Sequence, residues 1–172
     1  MNTIQKVTTS YNEQEDRLHL AYQDEEGRAQ GLWLTQRLTS RLVQVLLAQL
    51  DDSIATLPDS SAREAVQAWE MSAARAQMEQ INPVEGAALS EPALVTSVDI
   101  NRAGPAYTLI FRWRENQSAA LILSGSTALR QWLGILHQHY RMAQWSCNGL
   151  WPSWFDIADP TQMTRPPEML LN

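Results

Sequence analysis

The sequence predicts an α+β fold: a tandem duplication of a β-β-β-α unit, two antiparallel meanders bridged by a long central helix. Three observations lead there. Residues 17–23 and 107–113 each alternate apolar and polar side chains with the period of a half-buried strand. Each alternation passes through a turn into a short apolar strand and then an amphipathic helix, so the halves repeat one order of elements. Between them, residues 61–81 carry apolar side chains on two helical faces.

In the first unit a strand is expected over residues 4–9, followed by one with Leu18, Leu20 and Tyr22 on one face. Asp24-Glu-Glu-Gly27 is a turn, because Gly27 tolerates a positive φ. Residues 31–35 return, and Leu38, Leu42, Val45 and Leu46 form the apolar stripe of a helix that ends near Asp51-Asp52.

The second unit begins with a strand over 94–100. Tyr107, Leu109, Phe111 and Trp113 then alternate, residues 115–118 turn, and 120–124 return. The closing helix shows Leu129, Trp132, Leu133, Leu136, Tyr140 and Ala143 along one side. A shift of 91 positions lays Val7 over Val98, Leu18 over Leu109, Leu20 over Phe111 and Tyr22 over Trp113. The returning strands match at a shift two residues shorter (Leu32 over Leu121). The helices match at 91 again, with Leu38 over Leu129, Leu42 over Leu133 and Val45 over Leu136. The resulting division is a first unit at 1–52, the bridge at 53–93, a second unit at 94–146 and a Trp-rich end at 147–172, all within one domain.

The bridging helix has capping-box spacing at Ser61 and Glu64 and is expected to run to Ile81, before Pro83. Val66, Trp69, Ala73 and Ala76 form one stripe; Met71, Ala74, Met78 and Ile81 form another. A helix apolar on two faces is either wedged inside its own domain or turned toward another subunit. Met71 and Met78 are therefore candidate partner-binding residues.

With 44% apolar and 19% charged residues the chain has the composition of a globular protein. The net charge of −6 repels phosphate backbones and disfavours general nucleic-acid binding. The single cysteine, Cys147, suits a reducing compartment and reads as a small buried apolar group. The first ten residues lack the apolar core of a signal peptide, and the most apolar run, 42–50, is interrupted by Gln44 and Gln49. A cytoplasmic protein without membrane contact is expected.

No chemistry-bearing motif stands out. His19 points outward from its strand, and His137 and His139 diverge by about 200° on a helix, which excludes joint chelation. No cofactor or metal is expected. Leu-Ser-Gly-Ser-Thr at 123–127 reads as a helix cap rather than an anion site. Arg112 and Arg114 share an outer sheet face with Thr108 and Ile110, where the first half has the neutral Ala21 and Gln23. Arginines beside apolar groups can bind single-stranded nucleic acid, so this pair is the candidate nucleic-acid site. The architecture is similar, in topology and not in any sequence motif, to duplicated sheet-plus-helix units of the Whirly and PUR-repeat families.

Residues 141–155 hold three of the chain's seven tryptophans. After Trp145, Asn148-Gly149 should stop the last helix, and Pro152 should keep Trp151-Pro-Ser-Trp-Phe155 extended. That segment either plugs an open core edge or, through Trp151, Trp154 and Phe155, docks a partner. Residues 159–172 read as a loose end or a docking arm. The expected function is a non-enzymatic protein-interaction module, an assembly or chaperone-like factor or an adaptor, whose partner is another protein or a second copy. A single-stranded nucleic-acid binder is the alternative, and a small-molecule enzyme with an unrecognised site a third.

Overall fold

A computed structural model describes residues 1–86, 91–146 and 148–157. The expectations for Cys147 and for the tail from residue 159 lie outside the described residues. The elements are β1 (Asn2–Asn12), β2 (Arg17–Asp24), β3 (Ala29–Leu34), α1 (Gln36–Asp52), α2 (Ser60–Ala76), β4 (Ala93–Leu94), β5 (Ser97–Ala103), β6 (Ala106–Arg114), β7 (Gln117–Leu123), α3 (Ser126–Met142) and α4 (Trp154–Ile157). The fold is mixed α and β, as the alternation and helical spacing predict.

The seven strands make one curled sheet in the order β4-β3-β2-β1-β7-β6-β5. Neighbours are antiparallel except β1 with β7 and β3 with β4, which are parallel. The strand expected over 94–100 is split into β4 and β5, two residues apart in the chain and at opposite ends of this order. The chain thus passes from one edge of the sheet to the other through Val95 and Thr96.

The ladders sort side chains onto two faces. Leu18, Leu20, Tyr22, Leu32 and Leu34 share one face with Tyr107, Leu109, Phe111, Leu121 and Leu123, and all are buried with α1 and α3 in one core. The turn into β3 is fixed as expected: Gly27 has φ 78, and its N–H donates to the Asp24 carbonyl at 3.0 Å. The buried Asp24 carboxylate accepts from the Glu26 and Arg28 backbones and from Arg28 Nε.

Register corrects the alignment of the halves. Leu20 lies between Thr9 and Leu32; Leu109, not Phe111, lies between Ile100 and Leu121. The β2 burial pattern recurs on β6 at a shift of 89 positions, pairing Leu18 with Tyr107 and Tyr22 with Phe111. The loop Glu13–Asp16 is two residues longer than Gly104–Pro105, which accounts for the change from 91. α1 and α3 match at 90: buried Thr39, Leu42, Val43, Leu46, Leu47 and Leu50 correspond to buried Leu129, Trp132, Leu133, Leu136, His137 and Tyr140. Val45, expected in the core, is 46% exposed.

Four local expectations also change. The N-cap of α2 is Asp59, whose carboxylate accepts from the Ser61 N–H at 3.2 Å, and the Glu64 carboxylate accepts from Ser153 Oγ instead of closing a capping box. α2 stops at Ala76, not Ile81, and its N-terminal and C-terminal turns lack an acidic and carry a basic residue (Arg75) respectively. α3 starts at Gly125 with no side-chain cap. Pro152 precedes, rather than prevents, the single turn α4, where Phe155 N–H donates to the Pro152 carbonyl at 3.1 Å.

Candidate functional site

α2 carries the two stripes the sequence predicts, and they have different surroundings. Met71 and Ala74 are buried, and Met71 packs against Gly134 of α3, where a Cβ would lie 2.8 Å from Met71 Cε. On the other side Trp69 is 71% exposed, with exposed Ala62, Ala65, Ser72 and Ala76 at alternating three- and four-residue spacing. Val66 and Ala73 flank this seam half-buried. Met78 and Ile81 lie beyond the helix end and are exposed. With Val7, Leu123, Trp132 and Ile135 they line an apolar groove of about 500 Å³.

Polar groups also tie α2 to the body. Arg130 of α3 is fully buried and donates through Nη2 to Gln67 Oε1 at 2.6 Å and to Glu70 Oε2. Gln67 passes the link to Asp51 Oδ1 at 2.8 Å, tying in α1. Burial pulls the Arg130 guanidinium below its ordinary pKa, while the Glu70 carboxylate opposes that shift. Gln131 donates to the Ala74 carbonyl, and Arg75 to the Phe155 carbonyl at 3.2 Å. Arg130 and Gly134 are the α3 positions buried without a buried α1 counterpart, and both lie under α2.

The Trp-rich end is packed inward. Trp154 is buried, stacks on the fully buried Phe155 at 4.4 Å and lies 5.7 Å from the Arg130 guanidinium. Trp151 is half-buried, edge-on to Phe155 at 4.8 Å and Tyr140 at 5.4 Å, and tilted on His137 at 4.9 Å. Trp145 is buried and donates to Asp16 Oδ1 at 2.7 Å. That bond and one from Tyr11 hold the Asp16 carboxyl below its usual range, and Asp16 in turn raises the Tyr11 phenol. Of the five candidate partner-binding residues, Met71, Trp154 and Phe155 are thus engaged internally, Trp151 partly so, and Met78 is exposed.

Arg112 and Arg114 are both exposed. Arg112 Nε donates to Asp99 Oδ2 at 2.7 Å, a salt bridge that occupies it. Arg114, past an irregularity in the β6 register, lines a polar recess of about 370 Å³ with Asn2, Gln30, Glu91, Asn116 and Gln117. Arg112 is not among the residues that line this recess. Counterparts also shift: Gln23 matches Arg112 in strand position.

The histidines are apart, as expected. His19 packs on Trp33 at 4.8 Å, His139 Nε2 lies 2.9 Å from the Thr9 carbonyl, and His137 Nε2 is 3.7 Å from Asp156. Burial lowers the pKa of His19 and of His139. Among the described residues no group of three His, Cys, Asp or Glu side chains could hold a metal ion. No helix among them is long and apolar enough to cross a membrane. The sequence did not reveal the Arg130 cluster, because a buried arginine on an amphipathic helix looks like any polar-face residue. Nor did it reveal that Pro83, Val84, Gly86 and Pro92 lie over the outer face of β1–β3.

No known family matches the chain, and no curated protein or solved structure shows significant similarity to it.

Proposed function

We propose that the chain is a non-enzymatic protein-interaction module, an adaptor or assembly factor within a larger complex, and that α2 carries its principal contact. One observation supports this above the rest: Trp69 is 71% exposed at the centre of a helical seam while the opposite stripe is spent on the chain's own core. A large indole among small neighbours is the composition of an interface anchor, since the alanines let a second helix approach and the indole supplies apolar area. The occupant that fits the seam is a helical segment of another protein. The neighbouring groove at Met78 and Ile81 lengthens the apolar surface.

The test compares capture of proteins from the native host's extract by the wild type and by Trp69→Ser, each also sized by light scattering. Capture that the substitution removes while thermal unfolding is unchanged supports the reading. Self-association that Trp69→Ser abolishes replaces the other protein with a second copy, and equal capture by both forms sinks the α2 assignment.

The finer fold reading is also ours: the halves descend from one duplicated β-β-β-α unit related by an approximate internal two-fold. The matched burial of β2 with β6 and of α1 with α3 supports it. So does the strand pairing, in which β1 meets β7 as β4 meets β3, both in parallel. Superposition of 17–34 on 106–123 tests it; a mismatch in strand order or face would end the idea.

A further inference from the structure

The outer face of the first half is not bare. Residues 83–86, which follow α2, and Pro92, which precedes β4, lie over it. Lys6 Nζ donates to the Pro83 carbonyl at 3.3 Å, and the Val84 N–H donates to Thr8 Oγ1 at 2.9 Å. Those two groups belong to one peptide unit, so Lys6 and Thr8 hold a single peptide between a donor and an acceptor. Further along, Gly86 approaches Ala29, and Pro92 settles over Gly31, whose Cβ would come within 3.0 Å of Pro92 Cγ. Cross-strand pairing shows the surface involved: Lys6–Gln23–Ala29 forms one row and Thr8–Ala21–Gly31 the next.

The second half has the same two rows. Ser97–Arg112–Ser118 matches the first, and Asp99–Ile110–Ala120 the second. A cation again stands in the first row and an oxygen acceptor in the second, above a floor that includes a small residue. Here the donor and acceptor, Arg112 and Asp99, are exposed and bonded to one another at 2.7 Å. The next row brings Ile122, 55% exposed, beside Asn101 and Thr108.

We propose that this face of β5–β7 docks an extended segment of a partner protein, chemically like Pro83-Val-Glu-Gly86, in the manner in which the first half holds its own chain. Arg112 donates to a carbonyl of the incoming segment and Asp99 accepts an N–H, while Ile122 covers an apolar or proline side chain. An exposed pair of this kind is worth little on its own, so exchanging it for two bonds to a peptide costs little. The inference rests on the reading of the chain as an interaction module and adds a second surface to it, remote in sequence from α2.

The probe is a fluorescein-labelled peptide of this chain's residues 81–92, titrated into the full-length protein and followed by anisotropy, with NMR mapping of the perturbed amides. Binding is expected, with perturbations centred on Ala120 and Ile122. Arg112→Ala, Asp99→Ala and Ile122→Asp should each weaken it by about tenfold or more, as loss of a charge-assisted bond does. Lys6→Ala must not weaken it, since that site is already filled from within. Absence of binding, or binding that ignores Arg112, Asp99 and Ile122, overturns the proposal. So does single-stranded oligothymidylate that binds through Arg112 and displaces the peptide, because the face would then read nucleic acid. Any of these leaves the Trp69 test untouched, so the two readings can fail separately.

Discussion

Val95 and Thr96 are adjacent in the chain and bond to opposite ends of the sheet. The Val95 N–H donates to the Trp33 carbonyl of β3 at 3.0 Å, and the Thr96 N–H to the Arg112 carbonyl of β6 at 2.8 Å. Two successive peptides thus bond to β3 and to β6, and Val95 is buried in the core at that point. Native-state hydrogen exchange should find both amides protected to nearly the free energy of global unfolding, since each is bonded to a core strand beside the buried Val95. Exchange at either amide as fast as at a frayed edge would show that the sheet opens there.

The core register gives a graded mutational prediction. Leu20 and Leu109 are fully buried in matching rows, so Leu20→Ala and Leu109→Ala should each cost about 2–5 kcal/mol, and Phe111→Ala about 3–5 kcal/mol. Val45→Ala, at a position the hydrophobic stripe assigned to the core, should stay within roughly 0.5 kcal/mol. Urea unfolding of the four variants decides this. A Val45 variant as damaged as the leucine variants would contradict the burial.

What was legible in the sequence follows from the range of the signals. Alternation and helical spacing are local, so β1, β2, β3, α1 and their second-half counterparts could be read directly. Register is not local: a shift of two residues keeps every strand side chain on its proper face, so Leu20 could be set over Phe111 instead of Leu109 with no apolar mismatch. β4 has two residues, too few for any period, so the split of the 94–100 strand between two sheet edges leaves no mark in the sequence. α2 was extended to Ile81 because Gln77, Met78, Glu79 and Gln80 are acceptable helix residues. The bonds from Lys6 and Thr8 instead seat residues 83–84 across β1. The Trp-rich end was located but its packing was not, since one pattern serves a plug and an interface alike.

Arg130 and Glu70 should respond unequally. Glu70→Ala leaves a fully buried guanidinium with Gln67 as its remaining side-chain hydrogen-bond acceptor among the described residues; because Glu70 is itself about a third exposed, the cost is roughly 1–3 kcal/mol, below that of a fully buried broken pair. Arg130→Met removes the charge and keeps much of the volume, and should cost less than Glu70→Ala. Thermal unfolding of both variants gives the order. A methionine variant that is the weaker of the two would mean the cluster stabilises the fold beyond its own desolvation.

Acid should weaken the fold before any carboxylate titrates. His19 and His139 have pKa values lowered from 6.5 by burial, with the Thr9 carbonyl partly opposing this for His139. The unfolded chain binds protons as pH falls through 6.5 while the folded chain does not. Stability is therefore full above that pH and declines below it, toward the lower folded values. Asp16 and Asp24 are lowered from 3.8 and act in a more acidic window: their contribution is present above that pH and is lost below it. In Asp24, burial raises the pKa, but the bonds from Arg28 and Glu26 together outweigh it. Urea midpoints at pH 7.5 and 5.5 should differ for the wild type and converge in a His19→Asn, His139→Gln double variant. A difference that survives both substitutions assigns it elsewhere.

Phe155 decides between plug and interface for the Trp-rich end. Its ring is fully buried between Trp151, Trp154 and His137, and its carbonyl accepts from Arg75 of α2. A residue in that position stabilises the chain by itself, without a partner. Phe155→Ala should therefore cost about 3–5 kcal/mol in the isolated protein, the usual result of removing a buried aromatic ring. It should also loosen α2, because Trp154 lies on Arg130 and Arg75 holds the segment's backbone. Faster amide exchange throughout α2 in the variant is the accompanying sign. A Phe155→Ala protein as stable as the wild type, with unchanged exchange in α2, would mean that the segment is held in place by something other than its own packing.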